Sequence, residues 1–222
     1  FSFTYLAQLS NQVTIALGGV AMFDEKRSLI EKAFLELLCS NTFKSIRVND
    51  IAAKAGVSRV TFYKKFQNKE DLLDSIVEKF LAESTVVFQS NVSFYDKAGV
   101  PSVERIHSNL VIRIENVIDF FWENREEIKI LTSKNSEIDL LQHIRTLFNK
   151  YFKGNLPLIF SVNFDPYTLN QYLDYLSKGS YLIVGTWIRK NFEESPEEIT
   201  EILVNASLPI FLELYQKKGL EH

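Results

Sequence analysis

Arg59, Thr61, Tyr63, Lys64 and Lys65 fall in one short run of the chain. A guanidinium fork can pair bidentately with a guanine edge, and a threonine hydroxyl can meet a base edge or a phosphate. Tyrosine hydroxyls and lysine ammonium groups hold phosphate oxygens without reading sequence. The chemistry on offer is recognition of an anionic backbone and of base edges. Covalent catalysis has no comparable foothold. There is no glycine-rich phosphate loop and no ordered Ser/Cys–His–Asp set, so no catalytic residue is expected. Cys39, His107, His143 and His222 are too scattered to form a metal site. Neither a metal nor a cofactor is expected.

The run has to be held outward, and Val48–Phe66 (VNDIAAKAGVSRVTFYKKF) has the pattern to do it. Val48, Ile51, Ala52 and Ala55 recur at helical spacing and line one face. Small alanines let a second helix cross closely. Gly56 can take the left-handed backbone that ends a helix, and Val57 can then turn inward. Ser58 is a good cap for the next helix, on which Phe62 and Phe66 stack one turn apart on the inner side. The basic and hydroxyl residues are left pointing outward, as in a helix-turn-helix whose second helix enters a DNA major groove. Downstream, Asn68 reads as the cap of a third helix with Glu70 and Asp71 in its first turn.

With Phe43 upstream, the run Asp50-Ile51-Ala52…Ala55-Gly56-Val57-Ser58…Thr61-Phe62-Tyr63…Phe66…Lys69-Glu70…Leu72-Leu73 resembles the TetR family of transcriptional repressors. The resemblance is strong over 25–73, and beyond that only plan and length agree. It implies DNA-contact roles for Arg59, Val60, Thr61, Tyr63, Lys64, Lys65 and Lys69. Val60 would touch a thymine methyl, and Lys69, at a helix N-terminus, would clamp a phosphate. Where the family commonly has a capping threonine this chain has Arg47, which can contact phosphate but cannot supply the capping hydrogen bond.

Bulk composition agrees only once it is divided. The 222 residues carry a formal net charge of −3, which argues against nucleic acid. Residues 24–69, however, hold ten Lys+Arg against five Asp+Glu, while the remainder is acidic. A basic module on an acidic body binds phosphate locally without adhering to DNA indiscriminately. A single cysteine excludes a disulfide framework within one subunit and suits a reducing cytoplasm. Cys39 is expected to be a buried structural thiol.

Residues 1–23 carry no charge. Gln8, Ser10, Asn11, Gln12 and Thr14 interrupt them too often for a membrane span, and a signal peptide would need a basic start. They read as an extension without a function of their own, and 220–222 as the remains of an affinity-tag junction. No membrane association is expected. Between them lie a head, 24–69, and a regulatory body, 70–219.

Helical periodicity predicts an amphipathic helix over 26–40, with Leu29, Ile30, Ala33, Phe34, Leu37 and Leu38 buried. Phe43 and Ile46 plug the head's small core. Further helices are expected from Asn68 to about Ser90, from Ser102 to about Trp122, and over 125–131, 137–152, 165–191 and 195–218. No stretch alternates with period two, so the chain reads as all-α.

The last two helices carry broad apolar faces. A twofold four-helix seam would cover them, formed by Leu173, Leu176, Ser180, Ile183, Trp187, Ile202, Leu203, Ala206 and Ile210. The resemblance implies the same homodimer, on a near-palindromic operator with recognition helices about one DNA turn, ~34 Å, apart. It also implies a cavity for a small-molecule effector. The aromatic content suits a bulky apolar or aromatic compound, with Phe88, Tyr95, His107, Phe120, Trp122, His143, Tyr151, Tyr172 and Tyr175 as wall or orienting residues. The expectation is a ligand-released repressor. A DNA-binding activator or nucleoid-type factor of the same fold without a small-molecule ligand is the alternative.

Overall fold

In the head, the Asp24 carboxylate accepts from the Arg27 amide at 3.2 Å and caps α1 (Glu25–Leu38). The structure, a computed structural model, describes residues 24–90, 101–160 and 164–218. The uncharged residues 1–23, Tyr95 and the terminal 220–222 lie outside the described residues. By its contacts the chain forms two units that divide at Ile76/Val77. The division falls inside a helix rather than at its start, because Leu72, Leu73 and Ile76 are buried with the residues of the first unit.

The first unit continues through a 3-10 turn (Phe43–Ser45) to α2 (Val48–Lys54), α3 (Arg59–Tyr63) and the start of α4 (Lys69–Ser90). Ile30, Phe34, Leu38, Ile51, Phe62 and Phe66 are buried. The predicted α1 stripe is narrower than expected, since Leu29 is exposed. Cys39 is exposed too, just beyond the last helical residue, so it is not the buried thiol expected. Asn68 caps α4 by accepting from the Asp71 amide at 2.7 Å, and the Asp71 carboxylate accepts from the Gln67 amide at 2.7 Å.

The second unit takes up α4 beyond Ile76 and adds α5 (Val103–Glu123), α6 (Arg125–Thr132), α7 (Leu140–Asn155), the single turn α8 (Pro157–Phe160), α9 (Pro166–Arg189) and α10 (Pro196–Lys218). α5 lies along α10, and α7 along α9. Every described element is helical. α7 starts later than its periodicity suggested. Glu137 is left-handed at φ 60°, and Asp139 makes the cap by accepting from the Gln142 amide at 3.0 Å. Asp165 caps α9 and Ser195 caps α10, each ahead of a proline in the first turn.

Two carboxylates on α5 sit badly. Partial burial holds the Asp119 carboxyl above the usual carboxylate range, with Glu197 adding to it. Burial raises Glu123 likewise, with Asp119 adding to it. A group whose pKa is raised by folding contributes stability below its unfolded pKa and loses it as pH rises through the folded one. Asp119→Asn is therefore expected to raise the thermal midpoint at pH 7 by about 1–2 °C, the scale of a partly solvated like-charge helix pair. The gain should vanish in acid, where aspartate is itself protonated. A lower midpoint at pH 7 in calorimetry would contradict this.

Candidate nucleic-acid interface and effector cavity

Gly56, at φ +67°, ends α2. The Val57 amide donates to the Ala52 carbonyl at 2.9 Å and the Gly56 amide to Ala53 at 3.2 Å, the paired bonds of a Schellman stop. Ser58 then caps α3, its hydroxyl accepting from the Thr61 amide at 3.1 Å. Phe62 is fully buried and packs on Phe66 with ring centroids 5.8 Å apart. The opposite side of α3 faces solvent: Val60 is 65% and Tyr63 50% exposed, and Arg59 and Lys64 are exposed beside them. The Arg59 guanidinium lies 5.9 Å from the centre of the Tyr63 ring, which limits its freedom before anything binds. Thr61 is half-buried, and its hydroxyl is 2.9 Å from that of Ser58. Four expected contacts, Arg59, Val60, Tyr63 and Lys64, therefore form one open surface.

Two other expected contacts, Lys65 and Lys69, have tasks within the head. The Lys65 ammonium pairs with Asp24 at 2.6 Å and holds that carboxyl below its ordinary range, tying α3 to the start of α1. Lys69 turns inward rather than toward a phosphate. Its ammonium donates to the carbonyls of Phe43 at 2.7 Å, Ile46 at 3.0 Å and, more weakly, Lys44 at 3.4 Å, and it lies 4.5 Å from the centre of the Phe43 ring. Arg47 is exposed before α2 and its side chain makes no cap, as expected. The Asp50 carboxylate instead accepts from the Arg47 amide at 2.9 Å. Lys69→Met should cost the head about 1–3 kcal/mol, the scale of charge-assisted hydrogen bonds lost from carbonyls. Urea unfolding followed by circular dichroism checks this. Unchanged stability, with a salt slope of DNA binding lower by about one, would return Lys69 to a phosphate.

Within the second unit, α4, α5, α7, α9 and α10 line a partly open cavity of about 60 Å³. Phe88, Phe148, Tyr151 and Phe152 form its aromatic side, with Phe88 5.1 Å from both Phe148 and Tyr151, edge to face. Phe88 and Tyr151 were expected in such a wall, and most of the others fall elsewhere. His107 and His143 are exposed on α5 and α7 and do not line it. Phe120 packs against Phe80 at 5.6 Å. Trp122 stacks on Trp187, 6.0 Å apart and nearly parallel at 8°. Tyr172 and Tyr175 line an open groove between α9 and α10.

Sequence reasoning missed Arg113, a buried cation in the cavity wall. A signal was available, because Ile106, Leu110, Arg113, Val117 and Phe121 recur at steps of three and four on the inward side of α5. Ser180 and Leu203, expected in the subunit seam, also line this cavity.

The residues expected in the seam do not share one open face. Leu173, Leu176 and Trp187 are buried inside their own subunit and cannot meet a partner. The Trp187 indole N–H donates to the Glu194 carbonyl at 2.8 Å. Phe192, held left-handed at φ 61°, packs on the same indole at 4.7 Å. What remains outside is apolar as well. Tyr175 is 59% and Leu182 60% exposed on α9, with Gly179 between them, and Ile202 is 48% exposed on α10. Ile183, Ala206 and Ile210, also expected in the seam, are half-buried. Ile210 lines the open groove beside Tyr175 and Gly179.

Comparison with known proteins agrees with the geometry of both units. The family model for bacterial regulatory proteins of the tetR family matches residues 23–76. A second, described as a transcriptional regulator C-terminal region, matches 109–207. Over 69 residues the chain is 41% identical to the HTH-type dhaKLM operon transcriptional activator DhaS of Lactococcus lactis subsp. lactis (strain IL1403). That stretch is 31% of this chain and 35% of DhaS, so it covers about a third of either protein. The solved structure of a dihydroxyacetone kinase operon activator DhaS superimposes with TM-score 0.58 at 20% identity, covering 85% of this chain and 97% of that one. FadR from Bacillus subtilis, solved in complex with stearoyl-CoA, gives TM-score 0.56 at 18% identity over 82% and 97%. At those identities the superpositions show a shared fold. The matches are to regulators, not enzymes. Among the described residues no helix is long and apolar enough to cross a membrane.

Proposed function

Because the chain belongs to the TetR family of transcriptional regulators, we propose that it is a cytoplasmic homodimeric repressor released from a near-palindromic operator by a small apolar or aromatic molecule. The observation that carries the DNA side is the open surface of α3. Arg59 and Lys64 flank Tyr63 there while Phe62, on the reverse side, fixes the helix to the core. Arg59 reads a base edge, Val60 meets a thymine methyl, and Tyr63 and Lys64 hold the backbone. Pairing of subunits uses the outer faces of α9 and α10, through Tyr175, Gly179, Leu182, Ile202, Ala206 and Ile210. Two heads must then reach successive major-groove faces, about 34 Å apart.

Release requires coupling. The chain passes from one unit to the other inside α4, without a linker, and Phe88 on α4 lines the cavity. A ligand that displaces Phe88 acts on the helix that enters the head. Shifting occupancy from nearly complete to nearly absent needs a preference of roughly 5 kcal/mol for the released state.

The experiment is titration of the purified protein onto the DNA upstream of its own gene, by fluorescence anisotropy at physiological salt. Arg59→Ala should flatten the preference for operator over scrambled sequence, losing about 1–3 kcal/mol at the operator. Lys64→Ala should weaken both and lower the salt slope by about one. Equal binding of operator and scrambled DNA by the unaltered protein would overturn the proposal. A second reading, an activator, is favoured by the name of the relative DhaS. A reporter driven by the bound promoter separates them, since deletion of the regulator raises expression under a repressor and lowers it under an activator.

A further inference from the structure

The five residues of α3 are too few to hold a helix by themselves, so its open surface keeps one direction only if both ends are tied down. Ser58 fixes the entry by its cap, and Phe62 fixes the middle from the core side. The exit is held from the first turn of α1. One oxygen of the Asp24 carboxylate accepts from the Arg27 amide at 3.2 Å, and the other meets the Lys65 ammonium at 2.6 Å. Arg27 lies over the ring that follows, its guanidinium 4.7 Å from the centre of Phe66, and its Nε donates to the Glu31 carboxylate at 2.9 Å. A single carboxylate thus caps α1 and takes a cation from the end of the α3 segment.

Lys65 is half-buried, four residues after the half-buried Thr61, and follows directly on the exposed pair Tyr63 and Lys64. An ammonium there, left unpaired, has a four-carbon stem that can swing to a phosphate beside the seated helix. Such a contact strengthens binding to every sequence alike and reads no base. Asp24 opposes it in two ways, by occupying the ammonium and by setting a negative charge beside it. Resting on the reading of α3 as the DNA-binding surface, we propose that Asp24 is a positioning residue for recognition, which keeps Lys65 off the phosphate backbone, fixes the exit of α3 and so restrains sequence-independent binding. The grip on the backbone is left to Tyr63 and Lys64, and the choice of site to Arg59 and Val60. The Lys65 ammonium holds the Asp24 carboxyl below its ordinary range, so this carboxylate stays charged throughout neutral pH.

Asp24→Asn tests this in the full chain, because asparagine caps a helix as well as aspartate does and only the charge is lost. Across a salt series in fluorescence anisotropy, the variant should bind scrambled DNA with a slope steeper by about one. That corresponds to roughly fivefold tighter binding at about 0.15 M salt. Operator binding should gain less, since the exit of α3 is no longer fixed, and the preference for operator falls. Lys65→Gln alone should leave the slope unchanged, and Asp24→Asn/Lys65→Gln should return it to its starting value, with far-UV circular dichroism confirming each fold. A purely structural role would weaken operator binding and leave the slope as it was, and that result overturns the proposal. So does a slope lower by about one in Lys65→Gln, for Lys65 then holds a phosphate, or a slope that stays steep in the double variant. A second arm needs no DNA: carbon-detected NMR titration should show Asp24 ionising below the ordinary aspartate range and moving up in Lys65→Gln. An Asp24 indifferent to Lys65 overturns the proposal whatever the DNA measurements give. If the pair is found but the unaltered protein binds operator and scrambled DNA alike, the reading of α3 fails and takes this role of Asp24 with it.

Discussion

Leu182→Glu combined with Ile202→Glu is expected to leave the subunit folded and to separate the dimer. Both side chains are about half exposed or more, at 60% and 48%, so glutamate meets water in the isolated subunit. In a closed seam the same charges would be buried without partners, which such an interface does not tolerate. A dimer binds its operator with two heads, and loss of the second forfeits the effective concentration that the first provides. Operator affinity should fall about 10²- to 10⁴-fold. Sedimentation velocity gives the state of assembly, and anisotropy gives the affinity. A variant that sediments as a dimer would move the seam elsewhere.

Removing the Trp187 side chain should have the largest effect on stability. The indole is buried, stacks on Trp122, meets the Phe192 ring and donates to the Glu194 carbonyl. The Arg125 guanidinium covers the other partner of the stack, 4.4 Å from the centre of the Trp122 ring. Trp187→Ala opens a cavity that this cluster cannot close, at a cost of about 3–5 kcal/mol. The cost should appear in the second unit. Trp122 is then the sole tryptophan left, and its fluorescence reports that unit during urea unfolding. A loss under about 1 kcal/mol would mean that the loop after α9 collapses into the space.

Much of the head was legible from its residues because its determinants are local. The stop at Gly56, the cap at Ser58 and the inward pair Phe62/Phe66 each act over a turn or two, and the structure has all three. Lys65 and Lys69 could not be assigned in the same way. The partner of Lys65 is Asp24, and the carbonyls that hold Lys69 lie between Phe43 and Ile46, so the chain must fold before either ammonium has a destination. On α9 the difficulty was different. Leu169, Leu173, Leu176 and Val184 are apolar, and so are Tyr175 and Leu182 on the other side. Periodicity shows a helix covered on two faces without saying which one the subunit takes for itself. The inner face took the larger set, and Tyr175 and Leu182 stay exposed on the outer one. Arg113 was legible but went unread, since a charge inside an apolar strip is the kind of inconsistency that marks a site rather than a surface.

Hydroxyl-radical footprinting on the DNA upstream of the gene tests the central claim most directly, that the open side of α3 seats in a major groove twice per dimer. The account predicts two protected segments with centres about 10–10.5 base pairs apart, or slightly more, related by a near-dyad. Both should be lost together in an Arg59→Ala/Lys64→Ala variant. A single protected segment, or protection that persists in that variant, would contradict it.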